Sequence, residues 1–208
     1  MTDTAETRTA ETRTATHVHP GGARRRATRP GPFGADPARD AGAVPGGRSD
    51  AVVLVVRDAE RAAHRYASTL DLRCTAYAGP ETGESESISY VLEGAGGRFV
   101  LTSPLQPVGR AARMPAAHLA THGDGIVDLA IAVPDVPYAY DYAVDRGALP
   151  HAEPYEAHDH HGTVRLAVIG VPGGIRHTLV DRSDYAGPYL PGYVAVGSRW
   201  PAGAGRRR

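Results

Sequence analysis

Asp50-Ala-Val-Val-Leu-Val-Val56, followed by Asp58, and Ile126-Val-Asp-Leu-Ala-Ile-Ala-Val133, followed by Asp135, decide how this 208-residue chain folds. Each is an apolar, β-branched run of strand length ending just before an aspartate suited to cap a helix. Beyond Asp58, the residues Ala59, Ala62, Ala63, Tyr66 and Leu70 recur at helical spacing and predict an amphipathic helix. Beyond Asp135, Val136, Ala139, Tyr140, Ala143 and Val144 make the same stripe, and Gly147 stands where a C′ glycine closes a helix. A shift of 77 positions lays Asp58 on Asp135 and Ala62 on Ala139.

The repeat continues outward. Each helix leads to a short strand, Arg73 to Ala78 and Leu149 to Tyr155. A turn-rich loop then precedes an alternating strand, Ser87 to Leu92 and Thr163 to Ile169. Gly94-Ala-Gly-Gly97 and Gly170-Val-Pro-Gly-Gly174 make hairpins, and the last strands are Arg98 to Thr102 and Ile175 to Asp181. The expected fold is α+β, with two βαβββ units (about 50–103 and 126–182) that pair because neither alone can bury its sheet face. Pro115 to Gly123 reads as a connecting helix, and 183–196 as a strap packed on the sheet by Tyr185, Tyr189 and Tyr193. The folded domain is expected over 49–196. Residues 1–48 and 197–208 are Pro-, Gly- and Arg-rich, too poor in apolar side chains to offset ordering, and read as disordered tails.

Composition narrows the function. Twenty-three arginines balance 23 acidic residues, and lysine is absent, so no basic excess points to nucleic acid. One cysteine, Cys74, excludes an intramolecular disulfide and a multi-cysteine zinc site, and on a strand it reads as a small buried hydrophobe. No apolar run approaches the ~20 residues of a membrane span, and no apolar segment follows Arg24-Arg25-Arg26 as an export signal requires. The expectation is a soluble cytoplasmic protein with neither a nucleic-acid nor a membrane partner. Gly94 to Gly97 is no phosphate loop, since a strand follows it rather than a helix.

Several phrases, taken in order, resemble one family. They are Arg73-Cys-Thr-Ala-Tyr-Ala-Gly-Pro-Glu81, Ser89-Tyr-Val-Leu-Glu93, Arg98-Phe-Val-Leu-Thr-Ser103 and His122-Gly-Asp-Gly-Ile-Val-Asp-Leu-Ala-Ile131. Ala152-Glu-Pro-Tyr155, His161-Gly-Thr163, Arg176-His-Thr-Leu-Val-Asp-Arg182 and Tyr185-Ala-Gly-Pro-Tyr-Leu-Pro-Gly-Tyr193 complete them. The chain resembles the 4-hydroxyphenylpyruvate dioxygenases of the vicinal oxygen chelate superfamily, with hydroxymandelate synthase as a sister. The resemblance covers the N-terminal domain of that family only. It implies a fold of paired βαβββ units and a full-length activity, Fe(II)-dependent conversion of 4-hydroxyphenylpyruvate to homogentisate in tyrosine breakdown. It also implies that two His and one Glu holding the iron lie in a second domain, whose counterpart is expected to be missing here.

The resemblance further places any metal ligands of the superfamily on the first and last strands of each unit. At the 77-residue offset those corners are Ala51 and Asp128, and Leu101 and Thr178. A facial triad needs two imidazoles and a carboxylate, so no catalytic, cofactor-binding or metal residue is expected in this chain. The histidines read as surface groups: His158-Asp-His-His161 as a polar hairpin, His177 pointing away from Thr178, His64 and His118 on helix surfaces. The expected function is a dioxygenase-like protein inactive alone, with a separately encoded catalytic half or a second copy of the chain as partner. Two other readings remain: a metal-free small-molecule module with a cleft lined by Tyr90, Phe99 and Tyr140, and an oligomerisation domain.

Overall fold

Asp58 and Asp135 do what their positions predict: each takes extended backbone and its carboxylate accepts the amide hydrogen three residues on, from Arg61 and Tyr138 at 2.9 Å. Around these caps the computed structural model, which describes residues 44, 46–105, 110–171 and 174–197, forms two βαβββ units. The first contains β1 (Arg48–Val55), α1 (Ala59–Leu70), β2 (Arg73–Ala78), β3 (Ser87–Gly94) and β4 (Gly97–Pro104). A helix, α2 (Arg110–His122), leads to the second: β5 (Gly125–Ala132), α3 (Val136–Val144), β6 (Leu149–Asp159), β7 (Gly162–Gly170) and β8 (Arg176–Asp181). A two-residue strand, β9 (Val194–Ala195), closes the order. The tails expected over 1–48 and 197–208 lie, but for residues 44, 46–48 and 197, outside the described residues.

One sheet joins everything, in the order β6-β7-β8-β5-β1-β4-β3-β2-β9. The two first strands run antiparallel at its centre, and each pairs in parallel with the last strand of its own unit, β1 with β4 and β5 with β8. Both helices that follow a first strand lie on one face. Ala59, Ala62 and Ala63 of α1 pack on Leu54, Leu92 and Leu101. Val136, Ala139 and Tyr140 of α3 pack on Ala167, Ile169 and Leu179. The other, inner face is covered by residues 183–196, whose Tyr189 joins Ala51, Val91, Val100 and Ala130 in a third core.

The helices end in the same way with different residues. The Leu72 amide donates to Ala67 O and the Ala148 amide to Ala143 O, the six-to-one closure of a left-handed C-terminus. Gly147 fills the left-handed position in unit two at φ +97°, whereas Asp71 takes it in unit one at φ +53°.

Three sequence expectations are corrected. The connecting helix begins at Arg110 rather than Pro115, so the proline read as a helix start sits in its second turn. The short strand expected to end at Tyr155 runs on to Asp159, leaving a two-residue turn of His160 and His161 where a longer loop was expected. Leu101 does not match Thr178: β4 and β8 are related by 78 positions, not 77, because Leu54 pairs with Leu101 while Ile131 pairs with Leu179. The corner opposite Thr178 is therefore Val100. Among the described residues no helix is long and apolar enough to cross a membrane.

Candidate functional site

Strand alternation decides which side chains meet on the inner face. The four corners of the repeat are Ala51 on β1, Val100 on β4, Asp128 on β5 and Thr178 on β8, and all but Thr178 are at most 3% exposed. Leu101 points the other way, into the core beneath α1. Asp128, the one carboxylate of the four, is already bound. Its Oδ1 accepts the Thr178 amide at 3.0 Å, its Oδ2 accepts the Thr178 hydroxyl at 2.7 Å, and Arg176 Nε stands 3.8 Å away. The side chain thus takes a backbone donor on the strand beside it.

This donor set does not fit Fe(II). A methyl, an isopropyl, a hydroxyl and a carboxylate committed to a neighbouring strand supply no imidazole. The histidines are elsewhere. His177 alternates away from Thr178, and its Nδ1 lies 3.2 Å from Leu129 O. His160 and His161 form the β6–β7 turn, their ring centroids 3.8 Å apart. His118 and His122 stack on α2 with centroids 5.1 Å apart, and among the described residues the buried His118 Nε2 has no hydrogen-bond partner. Among the described residues no three His, Cys, Asp or Glu side chains gather as a metal site would need. Cys74 is buried against α1, and burial pushes its thiol up to about 12, far from a nucleophile.

The aromatic cleft expected from Tyr90, Phe99 and Tyr140 is not formed by those residues. All three lie on the helix side: Phe99 meets Tyr66 at 6.1 Å between centroids, Tyr90 packs on the same cluster, and Tyr140 belongs to the α3 core. One step along each strand, Val91 and Val100 face inward instead. The inner face holds a cavity of about 190 Å³, bordered by Val53, Val100, Ala130 and Leu166 from the sheet and by Tyr189, Leu190 and Tyr193 from above. Burial raises the Tyr189 and Tyr193 hydroxyls above the ordinary tyrosine value.

Two polar anchors hold residues 183–196 over this face, and neither was read from the sequence. At one, Asp50 Oδ1 accepts from Arg98 (2.9 Å) and Arg182 (2.6 Å), and Arg182 Nε also donates to Tyr189 O at 2.8 Å. The Tyr189 ring centroid lies 5.4 Å from the Arg98 guanidinium and 4.9 Å from that of Arg182. At the other, Asp159 accepts from the His161 amide, the Tyr185 hydroxyl and the Gly192 amide. Asp50 and Arg182 are 132 positions apart, a separation that carries no local signal; the arginines were visible only as letters in family-like phrases.

No family model matches the chain. It is 35% identical over 165 residues to a protein named probable 4-hydroxyphenylpyruvate dioxygenase 2 from Aspergillus fumigatus, covering 71% of this chain and 41% of that one. It is 39% identical over 146 residues to 4-hydroxyphenylpyruvate dioxygenase from Dictyostelium discoideum, covering 70% and 39%. Among solved structures, a mutant of 4-hydroxymandelate synthase from Streptomyces coelicolor superposes with a TM-score of 0.61 at 30% identity, over 78% of this chain and 44% of that one. A hypothetical protein from Bacillus halodurans shares the fold at 17% identity, with a TM-score of 0.53 and 99% of its own length covered. The chain spans about 40% of the length of the curated relatives it matches.

Proposed function

Because this chain is a homologue of the N-terminal part of the 4-hydroxyphenylpyruvate dioxygenase family, we propose that its 208 residues are the iron-free module of such an enzyme and do not catalyse the reaction by themselves. The observation that carries this reading is the state of the four corners. Ala51 and Val100 offer no donor atom, Thr178 offers only a hydroxyl bonded to Asp128, and Asp128 spends both oxygens on Thr178. The chemistry of the family, oxidative decarboxylation of a 2-oxo acid with hydroxylation of its ring, then falls to residues outside these 208. They belong to the share of the relatives' length that this chain does not span. In this reading the module serves as scaffold, working with a separately encoded catalytic half or within a homo-oligomer, in the cytoplasm.

The test is metal analysis together with oxygen uptake. The purified chain, given Fe(II) and 4-hydroxyphenylpyruvate, should retain no stoichiometric iron and consume no oxygen. Mixing or co-expression with the remaining portion of a relative should restore uptake that depends on both parts. One iron per chain, or uptake by the chain alone, would overturn the assignment.

A further inference from the structure

The inner-face cavity is a cleft open to solvent along part of its boundary, with a volume of about 190 Å³. Half of its lining residues are aliphatic: Val53, Val100, Ala130, Leu166, Val180 and Leu190. Two charged groups border it, Asp128 and Arg182, and each is already answered. Asp128 accepts two hydrogen bonds from Thr178 and faces Arg176; Arg182 is held by Asp50 and by Tyr189 O. A guest would therefore meet no uncompensated charge. Beside the Tyr189 and Tyr193 rings, two threonine hydroxyls in the wall have accepting capacity. Thr178 Oγ1 donates its hydrogen to Asp128 and keeps its lone pairs, and Thr102 Oγ1 shares one bond with Ser89 Oγ at 2.9 Å.

We propose that this cavity binds a small neutral molecule with an apolar body and one hydroxyl, of the size of phenol or cyclohexanol, its O–H donated to Thr178 or Thr102. An apolar cavity of about 150 Å³ takes up benzene, so 190 Å³ accommodates a six-membered ring and one polar atom. An anion is disfavoured, because the Asp128 carboxylate lies in the wall and the Arg182 guanidinium is neutralised by Asp50. Residues 185–193 form the roof, held near both ends by Asp159, through Tyr185 and Gly192, and at Tyr189 by the Asp50–Arg182 pair. This inference is independent of the dioxygenase reading, since no iron, 2-oxo acid or second domain enters it.

The experiment is a titration of the isotope-labelled full chain with phenol, cyclohexanol and benzoate, followed by amide NMR. Phenol and cyclohexanol should give saturable shifts centred on Val53, Val100, Ala130 and Thr178, with benzoate weaker by about tenfold or more. Ala130→Leu, which fills the floor, should abolish the shifts while the protein stays folded. Leu190→Phe fills the cavity from the roof and serves the same purpose if the first variant misfolds. The proposal is overturned by the absence of saturable shifts, by shifts mapping elsewhere, by benzoate binding as tightly, or by a folded, filled variant that still binds.

Discussion

Unit one and unit two place an aspartate near the start of their first strand and an arginine near the start of their last, and use the pair differently. Asp50 and Asp128, like Arg98 and Arg176, are related by the same 78 positions. Asp128 sits within the β5–β8 ladder, so its carboxylate reaches the Thr178 amide and hydroxyl. Asp50 occupies an irregularity of β1 between Ser49 and Ala51, which turns it toward Arg98 and Arg182 and leaves Ala51 at the corner. The shared letter is a tie between first and last strand in both units. The lone inner-face carboxylate, which looks like a remnant metal ligand in sequence, is explained by the same structural task.

The sharpest way to break this comparison is Asp128→Ala. It strips the half-buried Thr178 amide and hydroxyl of their acceptor and takes the Asp128 carboxylate from Arg176, so the expected cost is about 3 kcal/mol in urea unfolding. Asp128→Asn keeps one acceptor oxygen for the Thr178 amide and should cost clearly less. Asp50→Ala removes a carboxylate whose arginine partners are partly solvated, with side-chain exposures of 26% and 18%. Arg98 retains Glu93 and Arg182 retains Tyr189 O, so a loss of ~2 kcal/mol is expected. Equal losses for the two alanine variants would mean that the ties are not used differently.

A smaller contrast lies at the helix ends. Gly147→Ala places a Cβ at φ +97° and should destabilise by about 1 kcal/mol. Asp71→Gly, at the matching turn of unit one, should stabilise by ~0.5–1 kcal/mol, because a left-handed non-glycine residue gives up its strain. Thermal melts of the two variants should shift in opposite directions; a common sign would show that the turns are not equivalent.

What was legible in the sequence is what short-range physics encodes. The Asp58 and Asp135 caps, the alanine stripe of α1 and the alternating strands each depend on neighbours within a few residues. The units could therefore be found by shifting the chain against itself. What was lost depended on register. A one-residue difference in the turn before β8 put Val100, not Leu101, at the corner, and the alternation of β3 and β4 sets Tyr90 and Phe99 on the helix side with Leu101. Period-two alternation converts a slip of one residue into the wrong face. The anchors at Asp50 and Asp159 escaped because each joins groups far apart in the chain, and no spacing rule reaches across 132 positions.

The outer edges of the two units also differ. In unit one the edge strand β2 is covered by β9. In unit two no described strand pairs with the outer side of the longer edge strand β6, which carries Pro150 and Pro154; these remove donors that a foreign strand would need. Residues 183–196 run from the last strand of unit two to the edge of unit one, and the Asp159 anchor holds their course. Burial raises the Asp159 carboxyl, but the His161 amide, the Tyr185 hydroxyl and the Gly192 amide outweigh it and hold the group below the usual carboxylate range. Asp181, bonded to the Ser183 amide and Arg165, is lowered in the same way against its burial. A carboxyl lowered on folding contributes above its unfolded pKa, about 3.9, and that contribution fades as pH falls through the folded value. Amide exchange of residues 185–193, corrected for intrinsic rates, should therefore quicken below about pH 4, ahead of the β1–β5 centre. In Asp159→Asn the step should shrink, with Asp181 supplying the remainder. The same acid step in wild type and variant would mean that the Asp159 anchor does not set the acid response of the strap.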